Sequence, residues 1–349
     1  MKKLPFAINL NTVKVLTQLS KANSKIGELK GIMNMLPNPE IILSLISISE
    51  SKDSSAIENI ITTYDEIYKE LVRKNQRGGK PKEIINYKNA IEEGVSLINE
   101  KGFINTNLIT HIQSIIEPGK GGIRKLPGTV IKNDITGEIV HTPPQDEKLI
   151  RDLMANLEKY INENDDYDPL IQMALIHFQF ESIHPFYDGN GRTGRILNIL
   201  YLVLTEKINK PILYLSKYIV ENKNEYYKLL KKCHDDISYL EDFVVYMLKG
   251  IEETSIYTIN LIESIINQVE FIKKSMKERL PEVYSHEIIE YLFSHMYTKN
   301  EFFREGLKIA RATATKYLKL LEAEGFLVTE RVGKEIIYKN VSLFNLVNN

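Results

Sequence analysis

The chain of 349 residues has one cysteine, Cys233. A lone thiol cannot close an intramolecular disulfide or build a multi-thiolate metal centre. Long apolar runs are missing too: Ile196 to Leu204 is the longest and falls well short of the ~20 residues that a bilayer-spanning helix needs. Pro5 and Asn9 interrupt the apolar stretch behind Lys2 and Lys3, so no secretory leader reads there. The expectation is a soluble, cytoplasmic protein without membrane engagement. Net charge is nearly absent, 45 Lys+Arg against 46 Asp+Glu giving −1. Binding to nucleic acid or an anionic membrane would therefore need a local patch.

Glycine (18) and proline (12) are sparse and clustered, which leaves long stretches free to be helical. With 43% hydrophobic and 26% charged residues, there is enough apolar side chain to exclude disorder as the main state. At roughly 150 residues per domain, the length suits two domains. The middle of the chain reads as helices at 3.6-residue spacing. Asp168-Pro169 opens one of them as N-cap and first helical residue, and EYYKLLKKCHDDISYLEDFVVYMLKGIEE reads as another. Residues 128–143 instead alternate around a polar turn at Asn133 to Gly137 and predict a β-hairpin. From about residue 284, three helices followed by two short strands around Val332-Gly333-Lys334 describe a winged helix-turn-helix.

The chemistry concentrates in His184-Pro185-Phe186-Tyr187-Asp188-Gly189-Asn190-Gly191-Arg192-Thr193-Gly194-Arg195. It contains a G-x-G-x-x-G, but a helix precedes it and no βαβ unit surrounds it, which excludes a dinucleotide fingerprint. Gly189 and Gly191 let successive backbone N–H groups converge where a helix begins, an arrangement suited to phosphate oxygens. Arg192 and Arg195, three apart, imply more than one phosphate group. Asp188 at the mouth would repel phosphates unless a Mg²⁺ bridged it to them. His184 is the nearby group able to take a proton near neutral pH. A base, a metal carboxylate, a nest and two arginines add up to phosphoryl-type transfer from a polyphosphate to a hydroxyl.

This segment resembles the signature of the Fic family, HPFx[D/E]GNGRxxR, at every defined position, and the similarity extends from about residue 30 to 250. The resemblance implies a mainly α fold: a Fic-fold helical bundle with the hairpin as a β-hairpin flap, plus the C-terminal winged helix domain. It implies transfer of AMP from ATP, with Mg²⁺, to a Ser, Thr or Tyr hydroxyl of a target protein. His184 would be the base and Asp188 the metal ligand. Gly189, Asn190, Gly191, Arg192, Thr193, Gly194 and Arg195 would hold the nucleotide, Phe186 would anchor the loop, and Asn222 and Tyr227 would contact the adenosine. Upstream, Ser54-Ser55-Ala56-Ile57-Glu58-Asn59 fits the family's inhibitory pattern [S/T]xxxE[G/N], in which Glu58 would pair with Arg195 and hold ATP in a non-productive pose. Members of the family often self-associate, which allows a homodimer and self-modification.

The expected organisation is an N-terminal helical region with the inhibitory motif (1–95), a Fic catalytic core (96–250), a helical connector (251–283) and the winged helix domain (284–349). His177 and Cys233-His234 read as packed structural residues. In the winged helix, Arg311, Lys316, Lys319, Arg331, Lys334 and Lys339 are set against Glu322, Glu324, Glu330 and Glu335. That mixed surface favours protein docking or dimerisation over DNA binding. The alternatives are a nucleotide-sensing, DNA-binding transcriptional regulator, or a de-AMPylase or other phosphoryl transferase on the same fold.

Overall fold

The computed structural model describes residues 2–36, 38–73, 79–132, 137, 139–163, 167–333 and 335–348. They divide into two compact units. The first comprises residues 1–35, 46–61 and 83–256, the second residues 36–45, 62–82 and 257–349. The inhibitory motif at residues 54–59 lies in the same unit as residues 96–250, whereas residues 36–45 and 62–82 of the expected N-terminal region fall in the second unit. The expected 251–283 connector is the distal part of one 40-residue helix, Leu240–Arg279, and the units divide within it after Ile256. The helical spacing there runs on past the division, so no loop signal marked the boundary.

The first unit is built from α1 (Val13–Met35), most of α2 (Glu40–Ile57) and of α4 (Lys80–Lys101), α5 (Thr106–Ile116), the hairpin β1 (Ile131–Lys132) and β2 (Ile139–His141), and α6 (Glu147–Asn162). There follow α7 (Pro169–Ile183), α8 (Asn190–Leu204), α9 (Leu215–Glu221), α10 (Lys223–Asp235) and the start of α11 (Leu240–Arg279). α3 (Tyr64–Leu71) lies in the second unit. Helix α7 is mostly apolar and is buried on every side from Leu170 to Ile183, the pattern of a central helix. Asp168 caps it through Leu170 N–H, with Pro169 in the first turn as expected. It packs on α8, which is itself buried from Arg192 to Val203. α1 and α6 also pack on α7, and α5 packs on α8. The run read as one helix from Glu225 onward breaks at Asp236. There the carboxylate accepts from Ser238 N–H and starts a 3-10 turn, Ile237–Tyr239. β1 and β2 pair antiparallel, Ile131 with His141 and Lys132 with Ile139. Of the predicted turn, residues 133–136 lie outside the described residues.

The second unit includes α12 (His286–Ser294), β3 (Tyr297–Thr298), α13 (Asn300–Gly306), α14 (Arg311–Ala323), β4 (Leu327–Val332), β5 (Glu335–Asn340) and α15 (Val341–Asn348). The sheet order is β3-β5-β4, all antiparallel. Three helices and a two-stranded wing appear as expected, with β3 and α15 added. Phe293, Phe303, Ala314, Leu318, Leu321 and Leu343 form the core. Arg311, Lys316, Lys319 and Arg331 are exposed, whereas Lys339 sits over the rings of Phe344 and Tyr297. Lys334 lies outside the described residues. The wing's Glu330 pairs with Lys69 at 2.5 Å and Glu335 with Lys299 at 3.1 Å.

Candidate active site at the α7–α8 turn

The site is the turn between the two central helices. α7 ends at His184, which adopts the left-handed conformation (φ 48°) while its N–H still donates to Phe180 O at 2.9 Å. Phe186 is fully buried and holds the turn in the core. Asn190 pins it: its Oδ1 accepts from Phe186 N–H and its Nδ2 donates to Phe186 O, both at 2.8 Å. The Asn190 side chain, expected among the nucleotide contacts, is thus spent on the loop, and only its N–H faces the helix start. Gly189 sits at φ 76°, which a glycine adopts without strain. The first intrahelical bond of α8 runs from Thr193 N–H to Gly189 O. The N–H groups of Asn190, Gly191 and Arg192 therefore precede the ladder, at the positive end of the helix dipole.

Arg195 and Glu58 meet here. Arg195 is buried, and its Nη2 donates to Glu58 Oε1 at 2.9 Å and to Ser54 O at 2.9 Å, while its Nε donates to Ser54 Oγ at 2.7 Å. Both conspicuous residues of the upstream pattern thus hold the second arginine. Burial alone would raise the Glu58 pKa, but the charge and hydrogen bond of Arg195, with Arg192 and His184 behind them, lower it. A Cβ at Gly191 would lie 2.2 Å from Glu58 Oε1, so any side chain there would displace the carboxylate. The Glu58 carboxylate lies over the helix start.

Arg192 is buried and donates to Glu117 Oε1 at 2.6 Å, with Glu83 3.6 Å and Asp188 3.7 Å away. Its Nε and Nη1 have no hydrogen-bond partner among the described residues. The two arginines are therefore both at the site but engage separate carboxylates. Asp188 Oδ1 accepts from Gly189 N–H at 2.8 Å, and its Oδ2 from Lys120 Nζ at 2.6 Å. Burial works to raise its pKa, but these bonds and the charges of Lys120 and Arg192 outweigh that and lower it. The Asp188 side chain is 44% exposed. Among the described residues no three His, Cys, Asp or Glu side chains are grouped to hold a metal. A Mg²⁺ would thus depend on Asp188 and on phosphate oxygens, a donor set that fits this hard cation.

Burial pushes the His184 pKa down to about 4, further than the nearby Glu58 carboxylate can offset. The imidazole is accordingly neutral at pH 7 and able to accept a proton. Thr193 is buried, and Gly194 faces α7, where a Cβ would lie 2.6 Å from Glu181 Oε1 and 3.0 Å from Phe180. In this structure Gly194 serves helix packing. Asn222 is the residue between α9 and α10, donating to Tyr218 O at 3.0 Å. Tyr227 lies near Lys223, whose Nζ reaches Asn59 Oδ1 at 3.3 Å beside Glu58. His177 bonds Tyr226 and Asn198 in the core, as read from the sequence. Cys233 is likewise buried.

Three residues at the site escaped the sequence reading. Arg124 is fully buried and straps the turn to the base of the flap. Its Nε donates to His184 O at 2.8 Å, its N–H to Pro185 O at 2.9 Å, and its Nη2 to Pro144 O. Glu117 and Lys120 supply the charges facing Arg192 and Asp188. Arg124 is 60 positions from His184 and 20 from Pro144, and Lys120 and Glu117 are 68 and 75 from Asp188 and Arg192, so spacing carried no signal.

A buried helix pair, joined by a turn whose backbone N–H groups open a helix beside a histidine and two arginines, is an arrangement suited to anionic oxygens. Residues 16–96 match the Fic/DOC family N-terminal domain and residues 103–202 the Fic/DOC family domain. Residues 268–343 match the C-terminal domain described as protein adenylyltransferase SoFic-like. The chain belongs to the Fic family. It is 33% identical over 97 residues to the protein adenylyltransferase Fic of Drosophila yakuba, a stretch covering 27% of this chain and 18% of that protein. It is 32% identical over 113 residues to protein adenylyltransferase fic-1 of Caenorhabditis briggsae, covering 32% and 20%. The match thus spans about a fifth of the length of these relatives. In fold, it is similar to a Fic family protein from Desulfovibrio desulfuricans G20, with a TM-score of 0.64 at 19% identity over 97% of this chain and 98% of that one. It is also similar to Fic-1 (residues 134–508) from C. elegans, with a TM-score of 0.53 at 20% identity over 71% and 74%. No helix among the described residues is long and apolar enough to cross a membrane.

Proposed function

We propose that the chain is a protein adenylyltransferase that moves AMP from ATP to a Ser, Thr or Tyr hydroxyl of a target protein, with Mg²⁺, and that Glu58 restrains it. The observation that carries this reading is the half-buried His184 beside the uncapped start of α8. The hydroxyl oxygen attacks the α-phosphorus, its proton passes to His184, and the bond to the β-phosphate breaks to release pyrophosphate. The free N–H groups of Asn190, Gly191 and Arg192 suit the growing negative charge on the phosphates. Mg²⁺, when bound, would withdraw charge from the phosphates next to Asp188. Glu58 places a carboxylate over the same helix start and holds the guanidinium of Arg195, so a triphosphate loses one cationic partner and meets a like charge. The hairpin would align the target segment by strand addition.

The DNA-binding alternative has less behind it. Of the six basic residues considered in the second unit, Lys339 is engaged with aromatic rings, and glutamates sit between the exposed ones. Docking of a protein suits that surface better. The test is to incubate the Glu58→Gly chain with ATP labelled at the α- or the γ-phosphate and a cell lysate. Label carried from the α-position alone supports adenylyl transfer, and label from the γ-position replaces it with phosphorylation. His184→Ala should abolish transfer, by at least ~10²-fold for loss of a general base, while still binding ATP. Retained transfer would remove His184 from its role.

A further inference from the structure

The last turn of α7 carries a second ionisable group that the proposed reaction leaves unused. Glu181 lies three residues before His184, on the same side of the helix. It is buried, and its Oε1 has no hydrogen-bond partner among the described residues. Its Oε2 faces His184 Nδ1 at 4.0 Å, and that nitrogen too is buried without a hydrogen-bond partner. A buried ring nitrogen left unsatisfied is costly, and a small turn of the imidazole would bring Nδ1 within hydrogen-bond reach of Glu181 Oε2.

The surroundings hold the carboxylate where it is. Its Oε1 occupies the space over Gly194 that any side chain there would take. On the histidine side, the backbone is fixed at both ends, by His184 N–H on Phe180 O and by Arg124 on His184 O. Only the imidazole ring is left to turn.

We propose that Glu181 is the positioning residue of His184: its carboxylate accepts the Nδ1–H of the imidazole and leaves Nε2 as the nitrogen that takes the proton from the attacking hydroxyl. This rests on the adenylyl-transfer reading above. The proton moves from the hydroxyl oxygen to Nε2, and Nδ1–H stays on Glu181, which stabilises the imidazolium that forms. Burial pushes the Glu181 pKa up to about 7, with Arg195 opposing and Glu58 adding to the rise. Glu181 is faced by Glu58 from the turn after α2, Arg195 from α8 and Tyr226 from α10. His184 is faced by Glu58, Arg124, the backbone carbonyl of Glu181 and His141 of β2. Because the acceptor is the ionised carboxylate, the rate should rise with pH through about 7 as Glu181 loses its proton.

Two measurements test this. The first is ring ¹⁵N NMR of the full chain, with the His184 signals assigned by their loss in His184→Ala. It should show the Nδ1–H tautomer in the native protein and in Glu181→Gln, whose amide oxygen can still accept. In Glu181→Ala the Nε2–H form should appear. A native Nε2–H tautomer, or no change in Glu181→Ala, overturns the proposal. The second uses the Glu58→Gly background. Glu181→Ala should lower kcat roughly tenfold or more with KM for ATP within about twofold, and Glu181→Gln should lose the limb near pH 7. An unchanged kcat and pH profile would also overturn it. If the Glu58→Gly parent transfers no label at all, the adenylyl-transfer reading fails, while the tautomer measurement still decides the role of Glu181.

Discussion

Arg195 Nη2 donates to Glu58 Oε1 at 2.9 Å, joining residues 137 positions apart at the start of α8. The bond holds a buried cation, and Ser54 satisfies two further donor positions of the same guanidinium. Glu58→Gly should therefore act in two directions. Transfer should rise by roughly ten- to a hundredfold, the worth of about 1.5–3 kcal/mol for a hydrogen bond to a charged group. Stability should fall by about 1–3 kcal/mol, because a buried guanidinium loses a partner. Initial rates and urea denaturation of the same preparation measure both, and a rise in rate with no loss of stability would contradict the buried-lock description.

The elements around this pair were legible because their signals are local. Asp168-Pro169 wrote the start of α7, and the mostly apolar run that follows could only be a central helix. The inhibitory pattern implied a pairing of Glu58 with Arg195, whereas the two bonds of Ser54 to the same guanidinium carried no signal of their own. What stayed hidden was non-local. Nothing near Arg124 in sequence announces that it clamps carbonyls at 144 and 184, and the unit boundary inside α11 interrupts no periodic pattern. Glu181 was the one near miss. Its spacing of three from His184 places the two on one helical side, but nothing in the sequence shows that the carboxylate is buried.

The Arg124 clamp makes a prediction of its own. Its planar fork joins the turn at His184 and Ile183 to the flap base at Pro144. Arg124→Ala should cost about 2–4 kcal/mol in stability and lower kcat more than it raises KM for ATP, since the base moves while the nucleotide cradle stays. Arg124→Lys should rescue little, because an ammonium cannot bridge the carbonyls in one plane. Full rescue by lysine would mean that charge alone, and not the fork, does the work.

Glu50 sets an expected pH dependence of stability. It is buried on α2, accepts from Ser216 N–H at 3.0 Å, from the Ser216 hydroxyl and from Tyr87 OH at 3.2 Å, and burial pushes its pKa up to about 7. A carboxyl whose folded pKa lies above its unfolded value binds more protons when folded. Its contribution is complete below about 4.5 and is lost as pH rises through about 7. Such a shift corresponds to a contribution on the order of 3 kcal/mol. Denaturation of the native chain should show lower stability at pH 8 than at pH 5.5 relative to Glu50→Gln, which cannot ionise. Parallel pH curves for the two proteins would place the proton elsewhere.

Lys120 governs how readily Asp188 accepts a cation. Its ammonium bonds Asp188 Oδ2 at 2.6 Å and lies 3.3 Å from Glu117 Oε2, so a divalent ion approaching Asp188 must first displace it. Lys120 is itself largely exposed, and an exposed pair of this kind is worth ~0.2–1 kcal/mol. Lys120→Ala should therefore lower the Mg²⁺ concentration that gives half-maximal transfer by a factor of up to about five, with kcat at saturating Mg²⁺ little changed. Titrating Mg²⁺ at fixed ATP in the Glu58→Gly background reads this directly. A higher Mg²⁺ requirement in Lys120→Ala would mean that Lys120 helps to hold the nucleotide phosphates and does not compete for the carboxylate.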